Sequence, residues 1–278
     1  MIAAPSVWDG LSARLSVEAG FHTLFLSGLC LAAARLGGPD LDLLTFSEMI
    51  DALRMVRDAV PTALVIADGD HGFGNAMNVE RTVQAYGRAG AAAVMIEDKL
   101  SPRPLLAQGK PCVTRDEARI RVRAAVGAAR ESGMLVLART DTRPSLGIDE
   151  ALARIALFVE EGADILMLDS PADDAQVRLA VEAAQGRPLF CAMTGENARA
   201  PVSLQRAREL GVKLATFPFA TLTPVIEGMR QALQALAAGR IDGPVPFARA
   251  ELFETLGYGR YEARARAMAQ RQCPSDRT

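Results

Sequence analysis

Four stretches of the chain repeat one pattern of polar and apolar positions. Residues 18–27, 88–97, 160–169 and 209–216 each pass from the polar end of a helix through a glycine into an apolar run of strand length, often closed by a polar residue. A glycine there supplies the left-handed turn that a short helix-to-strand connection needs. An unbroken apolar run suits a parallel strand covered on both faces. Three further apolar runs, at 63–67, 134–138 and 188–193, and a first strand near 2–7 bring the expected strands to eight. Helical patterns separate them at 11–18, 44–58, 79–89, 115–131, 149–161, 173–184, 203–210 and 221–238. Strict alternation of strand and helix predicts an α/β fold with a parallel sheet. Eight units in about 240 residues predict closure into a (β/α)8 TIM barrel. An open doubly wound sheet is the alternative, but no Gly-rich dinucleotide fingerprint follows the first strand. Further helix is expected over 247–272, and a helix left over from a closed barrel packs on a neighbour in the same chain or another. No linker divides the chain, so residues 1–278 read as one barrel domain, with 241–278 a helical C-terminal extension.

Composition narrows the function. Half of the 278 residues are apolar, enough for a large core. With 31 basic and 33 acidic residues the net charge is -2, which offers nothing to nucleic acid or to an anionic membrane surface. Charges interrupt every Ala- and Leu-rich segment, so no membrane span is expected. Residues 1–10 show no basic region followed by an apolar stretch, so no signal peptide is read there. Cys30, Cys112, Cys191 and Cys273 are scattered without metal-ligand spacing, which fits reduced thiols in a cytoplasm.

The chemistry is expected where strands end, because barrel active sites form at the C-terminal face. Those positions read Ser27-Gly28, Asp68-Gly69-Asp70, Glu97-Asp98, Arg139-Thr140-Asp141 and Asp169-Ser170. Carboxylates meeting at one mouth repel each other unless a cation neutralises them. Oxygen ligands with few His or Cys nearby select Mg2+ or Mn2+ over Zn2+. Arg139 would face an anionic substrate with its planar fork. A single carboxylate at a loop start is as readily a helix N-cap. The run from Asp68 to Asn75 is harder to dismiss, with three glycines and two acids directly after a strand.

These residues resemble the isocitrate lyase/phosphoenolpyruvate mutase superfamily over nearly the whole chain, nearest to its oxaloacetate decarboxylase-like branch. The sharpest match is Ala67-Asp-Gly-Asp-His-Gly-Phe-Gly-Asn75, similar to the family's D-x-D-x-G-Y-G-N loop. Others are Trp8-Asp-Gly-Leu-Ser-Ala-Arg14, Ser27-Gly28-Leu29, Gly38-Pro-Asp40, Ile96-Glu-Asp98 and Ala138-Arg-Thr-Asp141. The resemblance implies that Asp68 binds Mg2+ directly and that Asp70, Glu97 and Asp40 bind it through water. It implies that backbone N–H groups of Ser27, Gly28 and Leu29 cradle a substrate carboxylate, and that Arg139 stabilises an oxo or enolate oxygen. It further implies a last barrel helix exchanged between subunits and a dimer-of-dimers tetramer.

The departures are equally informative. Where lyases for isocitrate and methylisocitrate carry K-R-C-G-H, this chain has Arg103-Pro-Leu-Leu-Ala107. Cys112 aligns poorly with the catalytic cysteine and reads as an incidental thiol, with catalysis the alternative. Asp169-Ser170 and Ala192 stand where those lyases have an acid in a P-E or L-E pair and an Asn. The mutases' and phosphonopyruvate hydrolases' Asn/Thr-Ser gating loop is missing from 101–109. Phe219 replaces the His expected of the decarboxylase branch near the seventh strand's end. His71, inside the metal loop, is read as a structural cap through a ring nitrogen, with a role as base the alternative. The loop 101–113, with three prolines and a glycine, is read as one that closes over substrate.

The expected activity is Mg2+-dependent cleavage or decarboxylation of a small 2-oxo or 2-hydroxy dicarboxylic acid through a pyruvate-type enolate. Two alternatives stand beside it: P–C bond chemistry of the phosphonopyruvate hydrolase or mutase kind, and a non-catalytic 2-oxo acid binder.

Overall fold

The computed structural model describes residues 1–104, 110–194, 203–241 and 249–270. The chain opens with β1 (Ile2–Ala4), β2 (Ser6–Val7), α1 (Gly10–Glu18), β3 (Thr23–Leu26) and α2 (Gly28–Leu36). Next come α3 (Phe46–Ala59), β4 (Leu64–Asp68), α4 (Ala76–Arg88), β5 (Ala93–Glu97), α5 (Arg115–Ser132) and β6 (Leu135–Thr140). They are followed by α6 (Arg143–Leu146), α7 (Ile148–Glu160), β7 (Ile165–Leu168), α8 (Asp174–Ala183) and β8 (Leu189–Ala192). The order ends with α9 (Leu204–Glu209), β9 (Leu214–Thr216), α10 (Pro218–Ala237), α11 (Arg249–Thr255) and α12 (Tyr258–Ala269). The described residues fall into two compact units, Met1–Thr223 and Pro224–Thr278.

The first unit is a nearly closed parallel barrel, in the strand order β1-β9-β8-β7-β6-β5-β4-β3-β2. The expected first strand, 2–7, is cut into β1 and β2 at Pro5, which has no N–H to donate. β1 pairs with β9 (Ile2 with Leu214) and β2 with β3 (Ser6 with Phe25), so one extended run borders both ends of the sheet. The Pro5 carbonyl still accepts from the Phe25 N–H at 3.0 Å.

The four repeated glycines have the role the pattern gives them. Gly20, Gly90, Gly162 and Gly211 all have φ between 85° and 96°. Each donates its N–H to the carbonyl three residues back, and the next residue donates five back, as in Phe21 to Ser16 at 3.1 Å and Ala163 to Phe158 at 3.0 Å. This double closure satisfies the last helical carbonyls and turns the chain into the next strand.

Two helices were not foreseen. α2 begins at the candidate cradle, with the Ser27 hydroxyl accepting from the Cys30 N–H at 3.3 Å. Its sequence, GLCLAAARL, has no polar face to mark a helical period, and it starts on glycine, a poor helix former. α6 is a four-residue segment containing Pro144, too short for any periodicity. The expected tail helix 247–272 is seen in its described part as α11 and α12.

The core has two layers. Ala4, Phe25, Ile66, Met95, Leu137, Met167, Phe190 and Leu214 fill the barrel interior, with the Phe25 and Phe190 ring centroids 5.5 Å apart. A larger layer, including Val65, Ala67, Val94, Ile96 and Leu166, lies between strands and helices.

Candidate active site

Strand pleating decides which strand-end residues face the barrel lumen. Side chains alternate, so the inward series Ile66 on β4, Met95 on β5, Leu137 on β6 and Met167 on β7 continues two residues on into Asp68, Glu97, Arg139 and Asp169. Asp98 has the opposite parity. It points away from the mouth and is held by the Thr140 hydroxyl at 2.7 Å, the Asp141 N–H at 2.9 Å and Arg154 Nη1 at 3.1 Å. The adjacent carboxylates of Glu97-Asp98 are therefore split between site and scaffold. Burial and the Asp141 carboxylate push Asp98 up to about 6.

The loop after β4 is tightly constrained. Gly69 admits no side chain: a Cβ there would lie 2.7 Å from the Met95 carbonyl oxygen and 2.8 Å from Val94 Cγ2. Asp70 takes a left-handed conformation, φ 48°, stabilised as its N–H donates to Asp68 Oδ1 at 3.1 Å and its carbonyl accepts from the Glu97 N–H at 2.8 Å. Asp68, Asp70 and Glu97 are thereby brought together, each with a carboxylate oxygen within 4.8 Å of the others'. All three are buried. Burial, then the carboxylates of Asp70 and Glu97, drives Asp68 well above the usual carboxylate range. Asp40 lies at the solvent side of the same mouth, and the surrounding protein and acids raise it as well.

Cations partly offset this charge. Lys99 Nζ lies 2.7 Å from Asp70, 3.1 Å from Asp42 and 3.3 Å from Glu97. Arg139 reaches Glu97 at 3.0 Å, Asp141 at 2.7 Å and Asp169 at 3.2 Å. Lys110 spans Asp141 at 2.8 Å and Asp169 at 2.9 Å. Burial opposes charge on Arg139 and Lys99, yet the surrounding carboxylates hold both well above their ordinary values. Among the described residues Glu97 Oε2 is buried with no hydrogen-bond donor, facing the Lys99 ammonium at 3.3 Å, and Arg139 Nε is without an acceptor. An oxygen-only trio with a buried oxygen that receives no hydrogen bond fits a hard divalent cation.

The site opens into a cavity of ≈ 390 Å3. Ser27, Leu29, Asp40, Asp68, Glu97 and Arg139 all line it, above a floor that includes Phe25, Met95 and Phe190. Gly28 sits beside it, its N–H donated to Asp68 Oδ2 at 3.1 Å. The sequence-predicted residues are thus gathered around one mouth, with Asp70 among them in the carboxylate trio. Phe219 lines the cavity wall. Cys112 does not line it, and its thiol is pushed far up by burial and by Asp98. His71 also lies off the cavity. Its Nδ1 is buried without a partner and its ring packs on Phe73 at 5.7 Å, so the cap expected of its ring nitrogen is not formed through Nδ1. Of the expected closing loop 101–113, residues 105–109 lie outside those described.

The family model for phosphoenolpyruvate phosphomutase matches residues 1–237. The chain is 34% identical over 254 residues to a 2,3-dimethylmalate lyase of Eubacterium barkeri, covering 89% of this chain and 87% of the relative. The chain belongs to this family. It is also 36% identical over 246 residues to an oxaloacetate decarboxylase of Paraburkholderia xenovorans (strain LB400), covering 88% and 81%. Oxaloacetate acetylhydrolase in complex with the inhibitor 3,3-difluorooxalacetate superposes with a TM-score of 0.91 at 32% identity, covering 98% of this chain and 94% of that one. Phosphonopyruvate hydrolase in complex with oxalate and Mg++ superposes with a TM-score of 0.81 at 27% identity, covering 95% and 92%.

Within this phosphoenolpyruvate phosphomutase family member, sequence reasoning overlooked Lys99, Lys110 and Asp42. Lys99 directly follows the Glu97-Asp98 pair and offered a signal, an extra cation beside strand-end acids. Asp42 and Lys110 lie in loops, and only the folded chain brings them to the site.

Proposed function

We propose that this chain breaks a carbon–carbon bond in a small dicarboxylic 2-oxo or 2-hydroxy acid, most simply by decarboxylation, with the help of Mg2+ or Mn2+. The observation that carries this reading is one cavity lined by Asp68, Glu97 and Arg139, the two carboxylates forming a buried trio with Asp70, and with no histidine among its described lining residues. The relatives' names, a lyase and a decarboxylase of dicarboxylic acids, support the same class. Asp68, Asp70 and Glu97 would hold the cation, with Asp40 at the rim. When bound, the cation supplies Lewis-acid polarisation of the substrate's C2 oxygen.

The chain's own residues then account for the remaining steps. At the start of α2 the positive dipole end and the Leu29 N–H are suited to the C1 carboxylate, while the N–H groups of Ser27 and Gly28 are held by the Val7 carbonyl and by Asp68 Oδ2, so that Gly28 would serve the carboxylate only by giving up Asp68. Arg139, oriented by three carboxylates, opposes the charge that develops on the C2 oxygen. As the C3–C4 bond of an oxaloacetate-like substrate breaks, C4 leaves as CO2 and its bonding pair enters the C2–C3 bond, giving an enolate. C3 then takes a proton from solvent. Among the described residues Cys191 is the thiol at the cavity wall, and burial pushes it up to about 12, which disfavours a thiolate base there. Decarboxylation suits such a site, since no proton need be removed from the substrate before bond scission.

The test is a screen of oxaloacetate, substituted malates, methylisocitrate and phosphonopyruvate with Mg2+, following pyruvate release. Oxaloacetate-type turnover is expected, with Asp68→Ala at least 1,000-fold slower and its melting temperature close to wild type, on the scale of removing a main electrostatic stabiliser. Full turnover in Asp68→Ala refutes the site. Phosphate release from phosphonopyruvate as the dominant reaction would replace this reading with P–C chemistry, and oxalate binding without any turnover with a binder.

An assembly of exchanged helices belongs to the same proposal. Ile226, Met229 and Leu233, spaced along one face of α10, are exposed. Light scattering should report a tetramer. No helix among the described residues is long and apolar enough to cross a membrane. The described cysteines are free thiols, which supports a reducing, cytoplasmic setting.

A further inference from the structure

We infer that Lys99 is a resident counter-cation of the carboxylate cluster, competing with the divalent ion and so setting how tightly the site holds it. The inference rests on the cation reading above. Lys99 Nζ is within ion-pair range of three carboxylates from separate parts of the chain: Asp42, Asp70 and Glu97, at 3.1, 2.7 and 3.3 Å. Two of the three belong to the trio that would hold the ion. The ammonium does not saturate them: Asp42 Oδ2 keeps no hydrogen-bond donor, and Glu97 Oε2, which faces Nζ at 3.3 Å, is paired by charge without a hydrogen bond.

The placement of Lys99 separates this role from substrate binding. It is absent from the lining of the ≈ 390 Å3 cavity. It lines instead an adjoining hollow of ≈ 20 Å3 with Asp40, Asp42 and Glu97, room for about one water. The side chain therefore meets the cluster outside that cavity, in a hollow that shares Asp40, Glu97 and Arg139 with it. Its backbone is fixed by a bridge to Cys112 and by Arg121 Nη1, which donates to its carbonyl at 3.0 Å. A buried, anchored ammonium cannot withdraw into solvent when a dication arrives, so the two positive charges repel at short range in a medium of low dielectric. The same ammonium lowers the repulsion among Asp42, Asp70 and Glu97 while the dication is away.

Isothermal titration of the metal-free full-length protein with Mg2+, and Mn2+ titration followed by electron paramagnetic resonance, test the idea with Lys99→Gln and Lys99→Arg. Glutamine keeps a donor but loses the charge. Lys99→Gln should bind either ion at least tenfold tighter, melt lower without metal, and show a larger rise in melting temperature on adding Mg2+ than wild type. Lys99→Arg should stay within threefold of wild-type affinity. A Lys99 with only a structural role would lower the metal-free melting temperature and leave affinity unchanged or weaker. That outcome, with wild type still binding, overturns the inference alone. Absence of binding in wild type and variant overturns the cation reading with it. If metal-free Lys99→Gln does not fold, Asp42→Asn takes its place. It leaves the ammonium shared by Asp70 and Glu97 only, so Mg2+ affinity should fall at least threefold, and unchanged affinity refutes the proposal.

Discussion

Replacing Arg154 by methionine would strand a buried carboxylate that has no other ion-pair partner among the described residues. Arg154, on α7, is 2% exposed and reaches Asp98 Oδ2 at 3.1 Å, Glu150 Oε1 at 2.8 Å and the Val113 carbonyl at 2.8 Å. Removing one member of a buried pair costs about 3–5 kcal/mol, and an orphaned carbonyl adds about 1 kcal/mol. Two features lower the total. Asp98 keeps the Thr140 hydroxyl and the Asp141 N–H. It can also take a proton, because burial has already raised it to about 6, so neutralising it at pH 7 costs about 1.4 kcal/mol. The net loss is about 3 kcal/mol, or roughly 6–12 °C in melting temperature for a chain of this size. The sign with pH follows from the raised value. A carboxyl raised on folding contributes stability fully present below its ordinary value of 3.8 and lost as pH rises through about 6. Without Arg154 it rises further, so the gap between wild type and Arg154→Met should narrow between pH 7 and pH 5. Calorimetry at both pH values measures this. Asp98→Asn in the Arg154→Met background should recover at least half of the loss. A fall below 2 °C at pH 7, or a gap that does not change with pH, refutes the reasoning.

Gly69→Ala should destabilise by about 2 kcal/mol or more, because its Cβ would meet the Met95 carbonyl, a backbone atom that cannot swing aside; it should also disturb the carboxylate trio. Thermal melting and Mg2+ titration report the two effects, and a wild-type result in both contradicts the packing seen at the loop. Glu150 is held down to about 2 by its hydrogen bonds from Arg115 and, less strongly, from Arg154. A depressed carboxyl contributes stability above its ordinary value of 4.5 that disappears as pH falls towards 2. Wild type should therefore exceed Glu150→Gln by about 1 kcal/mol at pH 7, solvent screening allowed for, with the difference vanishing by pH 2. A difference constant across that range in chemical denaturation would rule out Glu150 as its source.

The barrel was legible because its signals are local. Each glycine after a helix, each apolar run and each N-cap acts within a few residues, and four of those glycines take the left-handed turn their spacing implies. The strand ends were legible for the same reason, and Ser27, Asp68, Glu97 and Arg139 do meet at one mouth. α2 escaped because an Ala- and Leu-rich segment carries no period; the first strand was legible, but not its division at Pro5 between two neighbours.

By itself, then, the amino-acid order determined the alternation of strand and helix, the parallel sheet, and which acids and which arginine stand at strand ends. Tertiary structure alone decided how charge is distributed among them. Glu97 and Asp98 are neighbours in the chain, yet the fold sends one to Arg139 and Lys99 and the other to Arg154. The physical reason is range. Backbone preference and side-chain period are short-range and are written in consecutive residues, whereas the ion pairs of a site join residues such as Asp42, Asp70 and Lys99, whose separation is set only when the barrel closes.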